Sequence, residues 1–235
     1  MSMQDVEKLS DKFETDWALL AGLDMGDPTA VHGQARTILT AVIKGLPKSK
    51  TDPFSITVEI PDMKFIYFLA LVADIPNHDI NEAKRMLDSL DVDLGGIDMF
   101  CGERYGSWDM IKWCEDRDID IDLVFPNYGK QKEAFTELHT LAREGRYKMP
   151  TVPIHGSKTK DLAVEEFKMF DHDTLKKQFG SPEKMEKGGI QDDFIYSLAW
   201  CIYGGRMIGP DEFRVRKGTV SFGGFYPNSE LVGNY

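Results

Sequence analysis

A chain of 235 residues with 42% hydrophobic side chains can bury a substantial core, which excludes a disordered or fibrous protein. Its formal net charge of −11 excludes binding of polyanions through a broadly basic surface, so any contact with nucleic acid has to be local or metal-assisted. The three cysteines, Cys101, Cys114 and Cys201, lie far apart without CxxC spacing, which argues against a disulfide framework or a zinc site and fits a reducing cytosol.

Residues 1–16 are polar and charged throughout, read as a tail or short helix, and carry no secretory signal; no apolar run approaches the ~20 residues of a membrane span. "WALLAGLDMG" at 17–26 reads as a buried strand ending in a turn, and "TILTAVIKG" at 37–45 as a second strand. "FSITVEI" at 54–60 alternates like a half-buried strand, and "FIYFLALVADI" at 65–75 is a further apolar strand. "DINEAKRMLDSL" at 79–90 has apolar residues at helical spacing. "LGGIDMFCG" then reads as a short strand, "SWDMIKWCEDRD" as a helix and "IDIDLVFPN" as a strand closed by Pro126. "KQKEAFTELHTLAREG" is an amphipathic helix ended by Gly145, "DLAVEEFKMF" is another helix, and "DDFIYSLAWCIYGG" is the last. A strand at 212–222 is expected in the remainder. This order predicts an α/β domain with a mixed central sheet flanked by helices.

The acidic residues fall where such folds place their sites. Asp24 ends the first strand, Asp98 lies in the later short strand behind paired glycines, and Asp192 and Asp193 open the final helix. Side chains from strand ends and helix N-termini can converge. A cluster of like charges is costly unless a cation neutralises it. Carboxylate oxygens suit Mg²⁺ or Mn²⁺, and two such ions can activate water and stabilise the leaving oxygen of a phosphodiester. Of the adjacent pair, one aspartate is expected as the N-cap and the other remains for metal, because successive helical side chains diverge by about 100°. Phe194, Leu198, Cys201 and Ile202 mark the helix face that packs on the sheet.

The order of these motifs resembles the nuclease domain of tailed-phage terminase large subunits, in the RNase H-like superfamily. "GLDMG" is similar to the family's first acidic strand, and "GGIDMFCGERYGSWDMIKWCEDRDIDIDLVFP" to its second acidic strand with the following helix and strand. "EAFTELHTLAREGRYKMPTVP" is similar to the helix and extended segment that follow, and "QDDFIYSLAW" to the closing motif. The resemblance spans residues 17–205, with 206–235 as an extension packed on or trailing from that domain. It implies catalytic, metal-binding Asp24, Asp98 and Asp193, with Asp192 as cap or auxiliary ligand; Asp27, followed by Pro28, reads first as a turn residue and second as a reach to a second metal. It also implies a two-metal Mg²⁺ or Mn²⁺ site, double-stranded DNA as substrate, and a terminase ATPase domain, small terminase subunit and portal as partners in the host cytoplasm, without a membrane.

Two departures stand out. Gln191 replaces the histidine frequent before the paired acids, and no GxxxxGKS/T loop is present, which implies either an excised domain or a stand-alone one. A junction resolvase and a non-catalytic docking module of the packaging motor are the competing readings; resolvases are usually basic, and loss of an acid would have favoured the module. Lys130 and Lys132 are candidate DNA contacts, and Lys158 and Lys160, which follow His155, read first as a solvated loop and second as phosphate contacts.

Overall fold

The computed structural model describes residue 13 and residues 17–26, 35–47, 64–149, 152, 161–183, 186 and 189–214. Six strands form one mixed sheet: β1 (Ala18–Asp24), β2 (Ile38–Gly45), β3 (Ile66–Asp74), β4 (Met99–Glu103), β5 (Asp120–Val124) and β6 (Tyr147–Lys148), in the order β5-β4-β1-β2-β3-β6. β1, β2 and β3 pair antiparallel, whereas β4 and β5 continue the sheet parallel to β1. A hairpin of β7 (Asp171–Asp173) and β8 (Gln178–Gly180), which the sequence pattern does not reveal, stands apart from the sheet.

Helices α1 (Ile80–Leu94) and α2 (Asp109–Glu115) cover one face, and α3 (Tyr128–Arg143), α4 (Leu162–Met169) and α5 (Asp193–Gly204) the other. Each has a local reason to begin where it does. Asp79 caps α1 through the Asn81 amide at 2.9 Å, Asn127 caps α3 through Lys130 at 3.0 Å, and Asp161 caps α4 through Val164 at 3.1 Å. Central β1 and β2 are buried on both faces, which explains their unbroken apolar runs.

The final helix departs from the expected one-sided pattern. It crosses β1, β2 and β4 and is buried all round except at Tyr196. Its close approach needs Gly22: a Cβ there would stand 2.4 Å from the Ser197 carbonyl and 2.5 Å from Cys201 Cβ. At its far end, buried Lys44 donates from Nζ to the carbonyls of Gly205 at 2.8 Å and Ile208 at 2.6 Å, placing a cation at the negative end of the helix dipole. Ile208 and Phe213, 9% and 6% exposed, thus join the core beyond the helix. The three cysteines are buried and unpaired. Among the described residues no helix is long and apolar enough to cross a membrane.

The expected strand at 54–60 lies outside the described residues, as do residues 1–12, Asp27, His155, Lys158 and Lys160. The expected strand from 212 opens instead on a 3-10 turn, Pro210–Glu212, and continues outside the described residues.

Candidate active site

The parallel register decides which acids can meet. Leu23 pairs with Gly102, so the next step along both strands sets Asp24 beside Glu103 at the carboxyl edge of the sheet. Asp98 is five residues earlier, immediately before β4, roughly 16 Å away along the strand direction. The structure therefore does not bring Asp98 to the expected cluster. It lies at the opposite end of β1, where Oδ2 accepts from the Leu19 amide at 2.6 Å and Oδ1 from the Arg214 amide at 3.1 Å. Asp98 closes the far end of the β1–β4 ladder, and Glu103 holds the position expected of it. The missed signal was the strand's polarity: parallel strands present their last residues, not their first, to a shared edge.

Asp24 sits partly exposed at this edge. Burial, then the neighbouring Glu103, Asp193, Asp192 and Glu166, push its carboxyl well above the usual range. Asp24, Glu103 and the paired aspartates of α5 thus share one electrostatic environment. Glu103 is held by the Trp200 indole, whose Nε1 donates to Oε1 at 3.2 Å.

The paired aspartates divide their work differently from expectation. Asp192 occupies the N-cap position of α5 without capping it; its Oδ2 accepts instead from the Ser181 amide at 2.8 Å. The cap is supplied from α4. Buried Glu166 accepts the Phe194 and Ile195 amides on Oε2 at 3.0 and 3.3 Å, placing its charge on the positive end of the helix. Its other oxygen pairs with Arg36, whose Nε also donates to Asp193 Oδ2 at 3.2 Å. Asp193 accepts the Arg36 backbone amide as well, at 3.3 Å.

This triad sets the local electrostatics. Burial pushes Glu166 up to about 8 against the pull of Arg36, with Asp193 adding to the rise. Asp193 is likewise raised by burial, opposed by Arg36. Burial works against the Arg36 charge, but Glu166 and Asp193 overcome it and hold the guanidinium above its usual range. Glu166 was legible in part, since it lies three residues after Ala163 on the apolar face of α4. Arg36 carries no sequence signal.

Among the described residues, no three His, Cys, Asp or Glu side chains are arranged to hold a metal ion. The donor chemistry nonetheless fits a hard dication: oxygen ligands only, and an Asp24 carboxyl whose ionisation four neighbouring carboxylates oppose. Asp193 is at present turned to Arg36, so its share in such a site requires that ion pair to yield.

The fold built on this six-stranded mixed sheet is similar to that of solved structures. The large terminase nuclease from thermophilic phage G20c superposes with a TM-score of 0.51 at 12% identity, covering 81% of this chain and 84% of that one. The fold is that of a large-terminase nuclease. The zinc-bound form of the same nuclease matches at a TM-score of 0.45 and 14% identity, covering 81% of this chain and 83% of its own. The large terminase nuclease domain of Thermus phage P74-26 matches at 0.49 and 14% identity, covering 87% of each chain. No protein-family model and no curated protein matches the sequence. A terminase-nuclease fold at this identity persists because a mixed sheet needs apolar central strands, and many sequences satisfy that pattern.

Proposed function

We propose that the chain is a divalent-metal-dependent endonuclease that cuts double-stranded phage DNA during genome packaging, its activity carried by residues 17–205. The observation that supports this reading is the meeting of Asp24 and Glu103, from adjacent parallel strands, with Asp192 and Asp193 of α5 in a terminase-nuclease fold. Asp24, Glu103 and Asp193 would hold Mg²⁺ or Mn²⁺, with Asp192 auxiliary. When bound, the metal supplies an activated water and stabilises the leaving oxygen of the phosphodiester. The chain's residues position it: Trp200 fixes Glu103, the Ser181 amide fixes Asp192, and Glu166 holds the first turn of α5. Double-stranded DNA is the proposed substrate, and a packaging ATPase domain, small terminase subunit and portal are the proposed partners.

Plasmid nicking with Mg²⁺ or Mn²⁺ against EDTA tests the reading. Nicking that needs the metal and is lost in Asp24→Asn, Glu103→Gln and Asp193→Asn is expected. Asp192→Asn should retain part of it, because the amide can still accept the Ser181 N–H. A chain that cuts equally well in EDTA, or whose three variants all remain active, overturns it.

A further inference from the structure

Of the three most exposed aromatic side chains among the described residues, Tyr105 and Phe125 stand together and Trp108 lies three residues after Tyr105 along the same turn, although nothing in the core explains them. Tyr105, Trp108 and Phe125 are 62%, 52% and 52% exposed. Tyr105 and Phe125 meet edge to face at 5.7 Å, and the exposed Arg104 lays its guanidinium over Trp108 at 4.9 Å. Exposing so much aromatic surface is costly in water unless something covers it.

Their position follows from the sheet. β4 ends at Glu103, and the Arg104 amide donates to the Val124 carbonyl at 2.8 Å, so the residues after β4 and β5 leave the same edge together. The turn then folds back on β1. Gly106 has φ +88°, and a Cβ on it would meet Met25, the residue after Asp24, at 2.9 Å. The aromatic group is thereby fixed beside the two strand-end acids.

We propose that Tyr105, Trp108 and Phe125, with Arg104, form a stacking platform for unpaired bases of a DNA strand that reaches the carboxylate edge. The proposal rests on the nuclease reading for its choice of ligand. The chemistry favours nucleic acid over an apolar protein surface. Flat aromatic faces accept any base, and an arginine stacked among them adds a cation for the adjoining phosphate. A chain of net charge −11 cannot hold DNA by bulk attraction, so a contact made largely through base faces suits it. Duplex bases are already stacked on one another, so the platform selects frayed or single-stranded segments.

Tryptophan fluorescence reads the platform directly. Of the four tryptophans, Trp17, Trp113 and Trp200 are 8%, 6% and 0% exposed, leaving Trp108 as the one a ligand can reach. With the full chain in EDTA, oligothymidylate should quench the emission, and a blunt duplex of equal length should quench it much less. Trp108→Phe should abolish the quenching while keeping the dissociation constant, read by anisotropy of the labelled oligonucleotide, within about twofold, because phenylalanine still stacks. Tyr105→Ala/Trp108→Ala should weaken binding at least about tenfold, since tenfold is already the loss of a single modest base stack. Both residues are exposed, so the melting temperature should stay at the parent value. Absence of quenching, equal quenching by the duplex, or an unchanged dissociation constant in the double variant overturns the proposal and leaves the patch to a protein partner. On the nuclease reading no cleavage is expected in EDTA. Lost nicking with quenching intact therefore overturns the nuclease reading alone, and lost quenching with nicking intact overturns the platform alone.

Discussion

Exchanging the roles of Asp98 and Glu103 gives the sharpest test of the site, because the two residues lie on one strand and differ in what holds them. Asp98→Ala removes the acceptor of the buried Leu19 amide, 2.6 Å away, and of the Arg214 amide at 3.1 Å. Leaving a buried N–H without a partner costs about 1–3 kcal/mol. For a chain of this size that corresponds to a fall in melting temperature of roughly 4–8 °C at the middle of the range. Nicking well below the melting point should survive, since Asp98 is at the far end of β1. Glu103→Gln has the opposite profile. The amide oxygen can still accept from Trp200, and removal of a carboxylate relieves Asp24, so the melting temperature should hold or rise. The loss of one anionic ligand should cut nicking by at least about a hundredfold. Thermal melts and nicking rates in Mn²⁺ on both variants decide it. An inactive but fully stable Asp98→Ala beside a Glu103→Gln that cuts at the parent rate would refute the register argument.

Three further outcomes follow from the same contacts. Gly22→Ala drives a methyl into the Ser197 carbonyl and Cys201, so α5 must shift; about 1–3 kcal/mol should be lost by overpacking together with most of the nicking, and parent-like values for both would show that the helix has room. Lys44→Met keeps the buried stem but strands the Gly205 and Ile208 carbonyls, which should cost about 2–3 kcal/mol in a denaturant melt while nicking in the folded protein persists, because the loss falls at the end of α5 remote from Asp193; an unchanged midpoint would contradict it. Asp24, Asp193 and Glu166 all have raised folded-state values, Glu166 up to about 8, so the folded state binds more protons than the unfolded one and stability declines as pH rises from 5 toward 8, by at most about 1.4 kcal/mol per pH unit for each proton. Melting in EDTA should show this decline, Mn²⁺ should flatten it, and a melting temperature that climbs over that window would refute it.

What the sequence disclosed was local and periodic. Apolar runs located β1, β2, β3 and the closing helix, and Asp24 and the aspartate pair were legible because each ends or begins such a run. Asp98 was misread because composition marks it as an acid in a strand without saying which edge of the sheet it faces; only the parallel pairing of Leu23 with Gly102 does that. The division of labour between Asp192 and Asp193 was hidden for a related reason. The geometric argument that neighbouring helical residues diverge was sound, but the cap came from Glu166, 28 residues earlier, and left Asp192 to the Ser181 amide. Arg36 belongs to the same class of contact: its two partners are 130 and 157 residues distant in sequence.

Those long-range contacts explain how one sheet edge tolerates five carboxylates. Glu103 has the Trp200 indole, Asp192 the Ser181 amide, Glu166 the first amides of α5, and Asp193 shares Arg36 with Glu166. Four of the acids are thus anchored by donors that belong to the fold. Among the described residues no hydrogen-bond donor reaches the Asp24 carboxyl, and it is the group whose ionisation all the others oppose. A cation entering this edge would therefore gain most at Asp24, where no described residue supplies a counter-charge, and least at Asp193, where it must displace Arg36. On the proposed reading, Asp24 would govern metal binding, and Arg36 would set how far Asp193 contributes. On that reading an acidic chain would engage a phosphodiester there only after that neutralisation, because a bare cluster of carboxylates repels a phosphate.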